Sequence, residues 1–146
     1  MKKSLAFLRR APAVLLLAGL LHAPLASAGE VTIVDAVFNR AGAHWNASVT
    51  LRHADTGWEH YADAWRVVDA QGRVIKTRTL YHPHVDEQPF TRSLRDIEIP
   101  ADTTVVYIEA HDKKHGWAPQ RMKVELNPVF GRGKAVGLEP RPKGKD

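Results

Sequence analysis

The sequence predicts an all-β domain, an immunoglobulin-like seven-stranded antiparallel β-sandwich, and three observations carry that expectation. Short runs alternate apolar and polar residues with a period of two. Turn-forming residues interrupt them at short intervals, and no helical period of useful length follows residue 28.

Val31 to Phe38 opens the domain with β-branched residues, and Asn39-Arg40-Ala41-Gly42 turns the chain. Trp45, Ala47, Val49 and Leu51 then alternate with polar neighbours in a run that reaches His53, the mark of a half-buried strand. After Ala54-Asp55-Thr56-Gly57, a third strand is expected over His60 to Val68. Asp69-Ala70-Gln71-Gly72 joins it to a fourth, Arg73 to Tyr81, as a hairpin. His82-Pro83-His84 stops that strand, because proline has no N–H for a ladder. Phe90 to Ile99, the apolar Thr103 to Ala110, and Lys123 to Leu126 complete seven.

The two ends of the chain read differently. Lys2, Lys3, Arg9 and Arg10 precede an apolar run, Ala13 to Leu21, too short to span a bilayer, and Ala26-Ser27-Ala28 offers a signal-peptidase site. Residues 1–28 are therefore expected to be a secretory signal, 29–126 the sandwich, and 127–146 a basic disordered tail. An uncleaved anchor is the competing reading, which Pro24 and the short apolar run disfavour. No stable membrane anchor is expected after cleavage, and without cysteine the chain offers no site for a lipid thioether. The location expected is periplasmic or secreted.

The net charge of +5 arises at these ends. Residues 1–28 hold four cations and no anion, and the stretch from 29 to 126 is net acidic. A nucleic-acid partner is accordingly not expected. The missing thiolate excludes a blue-copper centre, and two methionines in all argue against a thioether site for Cu(I).

In an antiparallel sandwich successive connections alternate between ends. Turns 39–43, 69–72 and 100–102 share one end, and connections 53–60, 81–89 and 111–120 share the other. His53, His60, His82, His84, His111 and His115 all fall in the second set, His44 in the first, and His22 in the signal. The second set is also the longer, and long loops on a rigid scaffold are where sites are built. Imidazole is the commonest ligand for borderline metals. His82, His84, His111 and His115 are the first candidate ligands, with His53, His60 and Asp112 next. The metal expected is Zn, Cu(II) or Fe(II). Trp58 and Trp117 would wall the site from solvent.

Parts of the chain resemble the superoxide reductase (desulfoferrodoxin) domain. The similar stretches are His53 to Tyr61, then Trp65-Arg66-Val67-Val68-Asp69 with Gly72 and Val74, and Asp112-Lys113-Lys114-His115-Gly116-Trp117. The resemblance implies a seven-stranded sandwich in which His53, His60 and His115 match three of four equatorial iron-binding histidines. Asp112 stands where that family carries its axial cysteine, and Val31 to Val37 contains no counterpart of the remaining histidine.

The function expected is an exported β-sandwich that binds a transition metal for storage, delivery or resistance, with a metal ion and an envelope protein as partners. A metal-free interaction module of the cell envelope is the alternative, and a superoxide-reductase-like redox enzyme the second. No nucleophile motif of a hydrolase is present, and no catalytic residue is assigned.

Overall fold

Alternation decides the architecture. Trp45, Ala47, Val49 and Leu51 on one strand and Val106, Ile108 and Ala110 on another are all buried, and their intervening neighbours are more exposed. Period-two faces of this kind must be covered by another layer, here a second sheet surface. A computed structural model describes residues 29–144 and shows how that is done. The expected secretory signal lies outside the described residues.

All regular structure among the described residues is β. The strands are β1 (Thr32–Ala41), β2 (His44–Arg52), β3 (Ala62–Val68), β4 (Val74–Thr79), β5 (Phe90–Ile97), β6 (Val105–Asp112), β7 (Gly116–Trp117), β8 (Gln120–Asn127) and β9 (Arg132–Pro140). Every pairing is antiparallel, in the order β4-β3-β6-β8-β9-β1-β2-β5, with the short β7 added to β6. The two outermost strands, β4 and β5, approach each other. Lys76 of β4 donates through Nζ to the carbonyl oxygens of Arg95 and Asp96, at 2.8 and 2.9 Å. The sheet thus nearly closes on itself, between a sandwich and a barrel, around Phe38, Trp45, Leu51, Trp65, Phe90 and Ile108.

Two more strands form than the seven expected. β7 is a two-residue strand folded back on β6. β9 corrects the expectation of a disordered tail from residue 127: Arg132–Pro140 pairs with β8 along its whole length and with β1 over Val37 to Asn39. Its glycines and basic residues hid it, since main-chain pairing asks for no apolar period. Gly133 suits the close approach there, because a Cβ would run into Leu126 Cδ2 and lie 3.0 Å from Phe38 Cβ. The turn before it is fixed by Asn127, whose side chain accepts from the Phe130 amide at 3.1 Å.

Strand direction places the loops. The turns after β1, β3, β5 and β8 lie at one end. The connections 53–61, 80–89 and 113–119, and the chain leading into β1, lie at the other.

Candidate metal centre

The period of two that builds the core also delivers the site. Beyond Leu51 the buried positions of β2 continue through His53 and Asp55, which are 2% and 6% exposed. On β6 the buried face Val106, Ile108, Ala110 ends in Asp112, fully buried. Imidazole and carboxylates therefore cap the loop end of the core.

Asp55 fixes one of these rings. Its Oδ1 accepts from His53 Nδ1 at 2.5 Å and from the Ala62 amide at 3.1 Å, and its Oδ2 accepts from the His84 amide at 2.6 Å. With Nδ1–H given to Asp55, His53 turns the lone pair of Nε2 inward, the orientation a carboxylate imposes on a metal-binding histidine. His60 enters from the same connection, held by backbone bonds between Thr56 and His60 and between His60 and Gly57. Its Nε2 lies 3.2 Å from His53 Nε2 and 3.3 Å from Asp112 Oδ1. The three ligand atoms of His53, His60 and Asp112 lie within 4.8 Å of one another. Two ligands bound about 2.1 Å from one ion at near-right or tetrahedral angles stand about 3.0 to 3.4 Å apart, which is the spacing of His60 from each of the other two.

Asp112 also shapes the β6–β7 turn. Its Oδ1 accepts the amides of Lys114 and His115, at 2.9 and 2.8 Å, and faces His115 Nδ1 at 3.0 Å. Burial alone would raise its pKa, but those two amides and the nearby His115 and His53 rings outweigh it and hold the group below the ordinary carboxylate value. Asp112 is thus an anion near neutral pH, and its Oδ2 is buried without a hydrogen-bond partner. His115 sits at the rim, its ring centroid 5.0 Å from that of His60.

The other expected ligands go elsewhere. His111 and Asp112 are adjacent in β6, and adjacent strand residues face opposite sides of a sheet. His111 accordingly turns outward, its Nδ1 2.5 Å from Asp63 Oδ1 and its ring against Trp117. Trp117 in turn lies under the Arg66 guanidinium, and Trp58 is 62% exposed with its ring against Tyr61. Lys113 reaches away to the Trp58 carbonyl. Asp63 carried no pattern in the sequence to mark it, lying two residues beyond the connection 53–61.

His82 and His84 stay close, ring centroids 4.6 Å apart, without joining His53 and His60 in the group. His82 is exposed, and His84 is buried in a stack on Phe90 at 3.9 Å. Neither nitrogen of His84 has a hydrogen-bond partner. Burial, then the charges of Arg92 and His82, lower its pKa from 6.5. The unfolded chain therefore takes up this proton first as pH falls. The stability the neutral ring confers is present above pH 6.5 and is lost as pH drops towards the folded value. Urea midpoints measured down from pH 7.5 are expected to fall in that window, with a shallower fall in His84→Leu. Parallel profiles for the two proteins would contradict this.

No protein-family model matches the chain, and no solved structure matches it. One relative, from Halomicrobium mukohataei and described as "Putative lipoprotein", is 40% identical over 112 residues. The match covers 76% of this chain and 55% of the relative, so the chain spans about half the length of the protein it resembles.

Proposed function

We propose that this is an exported, envelope-associated protein that binds one transition-metal ion between His53, His60 and Asp112, for storage, delivery or resistance. The observation that carries this is the cluster itself: the buried Asp112 anion, its Oδ1 3.3 Å from His60 Nε2 and its Oδ2 without a hydrogen-bond partner, shares with the His53 and His60 nitrogens a space in which the ligand atoms lie within 4.8 Å of one another. A buried carboxylate oxygen without a donor is costly unless a cation meets it. Two histidines and a carboxylate suit Zn, Fe(II) or Cu(II) and leave coordination positions open. His60 and His115 are part-exposed, which gives an ion a route out and favours delivery over permanent storage.

The superoxide reductase resemblance remains a reading of the sequence, in which His53, His60 and His115 match three of that family's histidines and Asp112 stands where it carries its axial cysteine. Placement in the periplasm or outside the cell rests on the signal-like first 28 residues, and the name printed for the relative fits an envelope location. The immunoglobulin-like description of the sheet is likewise ours.

Competition titrations with Zn(II) and Cu(II) test the reading. His53→Ala, His60→Ala and Asp112→Asn are each expected to weaken binding at least about tenfold, while the double variant His82→Ala, His111→Ala binds as the parent does. Binding abolished by the second pair and spared by the first three would overturn it.

A metal-free interaction module is the second reading. It is favoured by an open groove of about 610 Å³ lined by Trp58, His82, Pro83, Val85 and Glu87, with Trp58 and Val85 exposed. A chain that takes up neither metal would leave that reading.

A further inference from the structure

Resting on that reading of the site, we propose that cleavage between Ala28 and Gly29 creates a fourth ligand, the α-amino group of Gly29, which chelates the ion together with the Gly29 carbonyl oxygen. Export would then switch the site on.

Three observations converge on Gly29. Its carbonyl oxygen lies 3.0 Å from His53 Nε2. That contact puts a main-chain oxygen beside the nitrogen that His53 offers to an ion. The distance also matches that between neighbouring ligands. Second, residue 29 is packed among the rings. A Cβ there would lie 3.0 Å from His115 Cε1, and the backbone φ of +109° is one that side-chain-bearing residues rarely adopt. Third, Ala26-Ser27-Ala28 places the expected peptidase cut immediately before this residue.

In the uncut chain the Gly29 nitrogen is an amide, its lone pair delocalised into the Ala28 carbonyl and useless to a metal. Signal peptidase adds water across that bond. Ala28 departs with the new carboxylate, and the Gly29 nitrogen keeps its bond to Cα and becomes a primary amine. Amine nitrogen and carbonyl oxygen of one residue close a five-membered chelate ring. Added to His53, His60 and Asp112, they give three nitrogen and two oxygen donors, a set that favours Cu(II) over the other divalent ions. The same chain before export would lack the amine and bind copper less tightly.

The full chain should be exported from a bacterial host, purified and weighed intact, beside a variant with Thr-Gln inserted between Ala28 and Gly29. Both are titrated with Cu(II) against a chelator and examined by electron paramagnetic resonance. The expected result is a parent beginning at Gly29. The variant should bind Cu(II) at least about tenfold more weakly and show one fewer coordinated nitrogen. A parent cut at another bond overturns the inference. So do equal affinities and spectra, which would leave the His53, His60 and Asp112 site standing. If neither chain binds copper or zinc, the inference falls together with the site it extends.

Discussion

An Asp55→Ala chain is expected to lose roughly 3 to 5 kcal/mol of stability, because three buried donors lose their acceptor, and to lose tight metal binding with it. One carboxylate here joins the end of β2, the start of β3 and the β4–β5 connection, through His53 Nδ1, the Ala62 amide and the His84 amide. Truncation orphans two buried amides and one imidazole, and each unsatisfied buried group costs about 1 to 3 kcal/mol. His53 would also be free to rotate or change tautomer, so its Nε2 would no longer be held toward His60. Urea unfolding and Zn(II) titration of the same preparation check both halves. A midpoint and an affinity indistinguishable from the parent would show that Asp55 does neither job. Asp55→Asn keeps an acceptor and is expected to fall between.

Trp65→Ala is expected to cost about 3 to 5 kcal/mol for a different reason, the cavity left by a fully buried indole. Trp65 stands on β3 opposite Arg78 of β4 and Ala110 of β6, where the sheet is paired on both sides and cannot readily collapse. Its Nε1 is buried with no hydrogen-bond partner. Trp65→Phe removes that orphan donor along with some volume, and is expected to cost less than about 1.5 kcal/mol. Urea midpoints in the order parent, Trp65→Phe, Trp65→Ala check this. A Phe variant as unstable as the Ala variant would contradict the cavity account, because phenylalanine keeps most of the volume that alanine removes.

Much of the fold was legible because period two and chain direction are local properties. Trp45 to Leu51 marks β2 without any knowledge of its neighbours, and counting reversals sends His53, His60, His82, His84, His111 and His115 to one end. What parity of strands does not give is parity of faces. His53 and Asp112 continue the buried alternation of β2 and β6, a signal present in the sequence, whereas His111 belongs to the outer face with Tyr107 and Glu109. Grouping residues by connection put His111 beside Asp112, and the pleat separates them. The pairing of His84 with Phe90 was hidden in a connection whose path no periodicity describes. β9 was missed because it is held by main-chain bonds to β8 and by the absence of a side chain at Gly133, properties that composition reports as disorder.

Binding of one metal ion between β2, β6 and the connection 53–61 is tested most directly by anomalous X-ray diffraction from crystals grown with Zn(II). A single strong peak about 2.0 to 2.2 Å from His53 Nε2, His60 Nε2 and an Asp112 oxygen is the expected result. A peak on His82 and His84 instead, or no peak at any zinc concentration the crystals tolerate, would contradict it.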